Sequence, residues 1–429
     1  MRNIITKQTS ISNLSRFKDS FISTNDSSVY FFTGNPKNWE NEVLPDDLID
    51  DTPNYIKTWG EILSLKRVRY GDLKEVIKRI DWQKFAAYDQ YDDKIDLTNK
   101  PFYVLNSELN VYKCISNNNG SISTEEPKGK RLEIFDMADG YRWKYLYSIS
   151  ASDKLRFLTT TWMPVNVDPD VSSAALDGAI EHIIINNVGL NYSDNSKVVI
   201  LGDGVNANIS PKILSYALAG FQYANVGSGY RYANAYIADS QGSAANIRAI
   251  ISPINGHGYD PIQELNAHYL MFSIKTDYTE GNGDFYSNIK FRTIGLLDSP
   301  RTYSGNIATE STLTGSYALQ LSNVSGTFIA DENLVSRSTN ANIWAFWQYS
   351  RLGRTDIKFI QSERTTSNSI KPKLGEVMVG MYSGAIGTVT SVTTPEAKPY
   401  SGSLLYVENR TPIARSQDQS ELFHLVLEF

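Results

Sequence analysis

The spacing of polar and apolar positions changes several times along the chain. Tyr55, Ile56, Trp59, Ile62 and Leu63 recur at helical intervals, which predicts a short amphipathic helix over 54–64. A second helix is expected just after it. Asp72 with Glu75 three positions on reads as a capping box, and Leu73, Val76, Ile77 and Ile80 would line one face. Beyond that point the period shortens to two. FYVL and VYKCIS flank the polar stretch 106–110 like the arms of a hairpin. YRWKYLYSIS reads as a strand with Tyr141, Trp143, Tyr145, Tyr147 and Ile149 on one side. Arg142, Lys144, Ser148 and Ser150 fall on the other, and Leu146 breaks the alternation. An aromatic row of that size needs a covering sheet or a partner.

From about residue 166 Gly, Ser, Asn and Ala become more frequent and charges thin out, which marks a new module. It opens with a weak internal echo. VGLNYSDNSKVVILGDG (188–204) and VGSGYRYANAYIADSQG (226–242) each give Gly-x-x-Tyr, a strand and a glycine-containing turn. Residues 301–395 read as the short strands of a small sandwich or barrel, with a fainter echo between GTFIADENLVSRSTNA and PKLGEVMVGMYSGA. LFHLVLEF at the end is an apolar strand expected to dock in a sheet.

A chain of 429 residues, 41% hydrophobic and 21% charged, is ordinary for a soluble globular protein and long enough for two or three domains. No apolar run reaches the length of a bilayer span, and MRNIITKQTSISNLSRF lacks the h-region of a secretory signal, so a cytoplasmic origin without membrane insertion is expected. A net charge of −6 disfavours nucleic acid as a partner. One basic stretch (Lys66, Arg67, Arg69, Lys74, Lys78, Arg79, Lys84) is interleaved with Asp72, Glu75 and Asp81, as on a solvated face. Upstream of it, ENEVLPDDLIDD (40–51) has six acids and no base. Asp46, Asp47, Asp50 and Asp51 are expected to face a partner protein, and pairing with the basic stretch is the duller alternative.

The clearest candidate chemistry is INGHGYDPIQELNAHY, where His257, Asp260, Glu264 and His268 are the residue types of a hydrolytic metal site. The local grammar points elsewhere. Asp260 before Pro261, with Gln263 three on, is a helix start, and Glu264 and His268 at i, i+4 can pair with each other. The other histidines, His182 and His424, lie in unrelated strands, so no metal and no cofactor is expected. DYTEGNGDF (277–285) has the composition of a calcium loop but not its pattern. The lone Cys114 excludes an intrachain disulfide and reads as a small buried side chain. No nucleophile elbow, phosphate loop or dinucleotide fingerprint occurs, and no catalytic residue or small-molecule substrate is assigned.

Two stretches carry a resemblance. DGYRWKYLYSI (Asp139, Gly140, Tyr141, Trp143, Tyr145, Leu146) and LLYVENRTPIARSQDQSELFHLVLEF (Tyr406, Glu408, Asn409, Arg410, Pro412, Ile413, Asp418, Gln419, Phe429) resemble segments of the homodimeric baseplate wedge subunit of contractile-tailed phages of the T-even type. The resemblance covers about 20–165 and 400–429, and the region between departs from it. It implies a mainly β fold with minor α+β character. The core would be a β-sandwich built from both chain ends (1–165 and 396–429), with a short helical region near the N-terminus and a long β-rich central insertion (166–300, then 301–395). It also implies a non-enzymatic virion protein that binds itself and other baseplate wedge proteins in a sixfold assembly. The motif residues would be structural. A tail-associated polysaccharide-binding or polysaccharide-cleaving protein is the alternative, suggested by the Gly/Asn/Tyr-rich middle.

Overall fold

Strand is the dominant element of the computed structural model, which describes residues 6–22, 28–277, 285–339, 341–351, 353–361 and 371–429. The fold is mainly β: several antiparallel sheets, one closed six-stranded barrel, and short helices that include Lys7–Asp19 near the N-terminus. Two compact units form, each from segments distant in sequence: 1–15 with 74–271 and 425–429, and 16–73 with 272–424.

In the first unit the predicted hairpin is present, Tyr103–Leu105 pairing antiparallel with Asn110–Ser116, and the latter with Arg142–Ser148. Both faces of this sheet are covered. Tyr141, Trp143 and Tyr145 pack with Tyr88, Tyr112, Cys114 and Val171, whereas Leu146, Tyr147 and Ile149 belong to a second core with Ile77, Phe102 and Met163. The expected single aromatic row is therefore split between two cores. Register shifts in the pairing with Asn110–Ser116 break the alternation.

The helix expected from Asp72 onward is instead a strand, Leu73–Lys78, antiparallel to Trp162–Pro164. Asp72 closes only a single 3-10 turn, its carboxylate accepting from the Arg69 N–H at 2.8 Å. A strand buried on both faces need not alternate: Val76 and Ile77 enter different cores, and their spacing imitates a helix.

The echo of Gly-x-x-Tyr copies is a structural repeat. Its two strands, Lys197–Gly202 and Ala233–Ala238, pair with each other from Lys197↔Ala238 to Gly202↔Ala233. Each copy's closing turn serves the other copy. Gly242 lets the Tyr192 ring lie so close that a Cβ would fall 2.2 Å from it, and Gly204 does the same for Tyr230 at 2.4 Å. Asp239 accepts from the Ser193 and Ser196 hydroxyls, and Asp203 from the Arg231 and Tyr232 N–H groups.

The second unit holds a five-stranded antiparallel sheet ordered Thr312–Thr314, Ile62–Arg67, Val29–Gly34, Ile289–Asp298, Ser403–Arg415. The helix expected over 54–64 is Thr52–Gly60, started by Asp51, and Ile62 and Leu63 already belong to the next strand. Six strands, Tyr317–Ser325, Glu332–Ser336, Asn342–Arg351, Arg354–Gln361, Val377–Gly380 and Ile386–Thr393, form the closed barrel, its centre filled by Leu319, Leu321, Phe328, Leu334, Ile343 and Phe359 among others. Most of DYTEGNGDF (278–284) lies outside the described residues.

Candidate functional site

Asp260 does cap the short helix Pro261–Glu264, its Oδ1 accepting from Ile262 N at 3.1 Å and Gln263 N at 3.3 Å. Glu264 and His268, which could pair at i, i+4, part company. His268 Nε2 lies 3.4 Å from Glu428, while Glu264 turns inward to a lysine that the sequence reading passed over. Lys113 Nζ sits 2.5 Å from Glu264 Oε1 and 3.0 Å from His257 Nδ1, and the same carboxylate oxygen is 2.8 Å from that ring nitrogen. All three side chains are buried. Glu264 Oε2 accepts from Gly258 N at 2.7 Å, Tyr91 lies under the ammonium at 3.6 Å, and Glu181 stands 3.8 Å from His257 Nε2.

An ammonium thus occupies the place between imidazole and carboxylate where a metal would need to be, and it neutralises the carboxylate itself. Among the described residues no group of three or more His, Cys, Asp or Glu side chains could hold a metal ion. Burial alone would raise the Glu264 carboxyl, but the Lys113 charge and the His257 contact outweigh it and bring the carboxyl down to about 2. Burial first, and Lys113 second, lowers His257 and keeps its ring neutral. The signal for Lys113 was a cation inside VYKCIS, a strand without polar alternation and therefore covered on both sides. Shut off from water, the cluster ties the Pro261–Glu264 turn to the strand Asn110–Ser116.

In the stretches DGYRWKYLYSI and LLYVENRTPIARSQDQSELFHLVLEF the polar groups pair within the fold. Asp139 is a hub: Oδ2 accepts from Ser123 Oγ (3.0 Å), Thr124 N (2.8 Å) and Glu125 N (3.2 Å), and Oδ1 from Tyr141 N (3.1 Å). Gly140 follows at φ +85°, where a side chain would meet Asn118 at 2.5 Å. Tyr141 closes the hub by donating to Ser121 O at 2.5 Å and accepting from Tyr88 N at 3.2 Å. Trp143 and Tyr145 are core.

In the terminal stretch Glu408 accepts from Tyr406 Oη and from Arg410 Nε, both at 2.8 Å. Asn409 accepts from Thr293 Oγ1 and donates to Asp46 O, both at 2.9 Å. Pro412 stands where the register against Ile289–Asp298 shifts, a place that needs no N–H from it. The turn after Arg415 holds Asp418 at φ +61°, and the Gln419 amide spans it, accepting from Ser416 N and donating to Ala414 O at 3.1 Å each. Beneath it, buried Arg415 Nη1 pairs with Glu421 at 2.8 Å.

Of the four aspartates expected to face a partner, Asp51 is engaged as a helix cap, accepting from Asn54 N at 2.8 Å. Asp46, Asp47 and Asp50 are exposed. What holds the loop was invisible in sequence: Arg292, 1% exposed, donates to Glu42 (2.9 and 2.8 Å), Pro36 O (2.9 Å) and Asn38 (2.7 Å). Comparison with known protein families finds no match, and no curated protein matches the chain.

Proposed function

We propose that this chain is a structural subunit of a contractile phage tail baseplate wedge. It pairs with a second copy of itself, binds neighbouring wedge subunits in a sixfold assembly, and relays the rearrangement that triggers sheath contraction through its interfaces. It works without a catalytic group, a cofactor, nucleic acid or a membrane span. Assembly takes place in the host cytoplasm, and the finished protein resides in the virion. The observation that carries this reading is the pair of familiar stretches, D-G-Y-x-W-x-Y-L and Y-x-E-N-R-x-P-I with its following D-Q. Their polar side chains form a turn hub and a hairpin lock, the roles expected of architecture and not of chemistry. Quantitative mass spectrometry of purified particles tests it. The chain should be present in a copy number that is a multiple of the six wedges, and its absence from particles would end the proposal.

A second reading has one observation behind it. A register shift between Ala345 and Trp347 turns the strand Asn342–Arg351 so that Ala345 lies in the barrel core, whereas Tyr349 is 52% exposed. The Trp347 and Tyr349 rings are parallel within 21° at 6.4 Å, and the Arg351 guanidinium lies 5.2 Å from Tyr349. Parallel aromatic faces suit the C–H faces of sugar rings. Binding of host envelope polysaccharide by the purified chain, abolished in W347A/Y349A, would favour that reading. Equal binding by both proteins would remove it.

A further inference from the structure

The segment 40–51 carries four large apolar side chains that the fold leaves in water: Val43 is 82% exposed, Leu44 71%, Leu48 41% and Ile49 64%. They are interspersed with Asp46, Asp47 and Asp50, which are exposed too. An untethered loop of this composition would fold its apolar groups against the nearest surface. This one is held at three points: Glu42 by buried Arg292, the Asp46 carbonyl by Asn409, and Asp51 by its cap on the helix Thr52–Gly60. Between these points residues 45–50 run without helix or strand. The tethers fix the backbone and leave the apolar side chains outward, the arrangement of a binding segment prepared before its partner arrives.

We infer that 43–50 is a docking strap whose occupant is another protein presenting an apolar groove bordered by lysine and arginine side chains. The inference rests on the chain being an assembly subunit, and it adds the chemistry of one partner. Charge decides the class. Glu42 is neutralised by Arg292 and Asp51 is engaged at the helix, so Asp46, Asp47 and Asp50 are carried into any interface that covers Leu44 and Ile49. Lys57 stands only at 4.0 Å from the first of them. Covered by a neutral surface, those carboxylates lose water and gain nothing. A nucleic acid or an anionic lipid surface repels them. A basic rim pairs with them and sets the register while the groove takes the apolar side chains.

The test places a photoreactive amino acid at position 44 or 49 of the full chain in infected cells and maps the cross-linked peptides by mass spectrometry. The expected adduct joins a different protein at an apolar segment flanked by lysine or arginine. Its yield should fall about tenfold or more when Asp46, Asp47 and Asp50 are all changed to Lys, and stay unchanged for Asp194→Lys, an exposed aspartate elsewhere. Circular dichroism of the triple variant should be that of the parent, since none of the three side chains is buried. Adducts confined to a second copy of this chain or to lipid, or a yield unmoved by the triple reversal, would overturn the inference. Because the reaction is read in cells, it does not depend on the chain entering particles. A negative result here and an absence from particles are therefore separate failures.

Discussion

Lys113 is the cation of a buried cluster in the first unit. Its ammonium compensates Glu264 and adds to burial, the larger cause, in lowering His257, all three out of water. Removing one partner of such a pair leaves the other uncompensated, so Lys113→Met should destabilise the protein by about 3–5 kcal/mol in denaturant unfolding. Lys113→Met combined with Glu264→Gln should recover part of that loss. No loss in the single variant, or no recovery in the double one, would mean that the pair carries no such weight.

The buried histidines set the pH response. Burial, with Arg142 and Arg248 adding to it, pushes His182 down to about 3, and His257 is lowered as well. Both bases have folded values below the 6.5 of an exposed imidazole, so the unfolded chain binds more protons and stability rises with pH through this range. The contribution of these two imidazoles is complete above pH 6.5 and declines as pH falls toward the folded values. Glu264, brought from 4.5 to about 2, adds a further loss between those two values. Thermal midpoints should therefore drop steadily from pH 6.5 downward. The imidazole proton resonances of His182 should remain those of a neutral ring at pH 5, and a midpoint near 6.5 for that ring would contradict the assignment.

At the level of elements, legibility followed the turns that bound each run, since strands buried on both faces, Asn110–Ser116 among them, do not alternate. The hairpin Tyr103–Leu105 with Asn110–Ser116 was plain, because a polar turn separates two apolar runs. Leu73–Lys78 was not, because burial on both faces erased the alternation that distinguishes a strand from a helix. The Gly-x-x-Tyr echo was visible as sequence, but the exchange of turns between copies was not, since it depends on which glycine meets which tyrosine in space. Among motif residues, Asp139 could be singled out by resemblance, yet only its four backbone and side-chain donors explain it. Asp139→Ala leaves those donors without their acceptor and should cost about 1–3 kcal/mol in unfolding free energy. Hydrogen exchange should rise locally at Thr124, Glu125 and Tyr141. Uniform exchange across the sheet would argue that the hub is not a local lock.

Across the whole molecule, what stands out is how its ionisable groups are used. Those picked out by sequence as possible chemistry cap a helix, as Asp260 does, or pair with partners outside the motif, as Glu264 does with Lys113 and His268 with Glu428. The acids of 40–51 were legible as a charge block. The apolar side chains among them gained meaning only once Arg292 and Asn409 were seen to hold the loop with those groups outward. Under the proposed baseplate reading the chain would act through its contacts, and that reading is best tested where assembly is visible. Electron microscopy of lysates from a phage with a stop codon in this gene is the most direct measurement. The account predicts filled heads without attached tails, and stalled baseplate intermediates. Intact contractile particles that merely adsorb or infect poorly would contradict it.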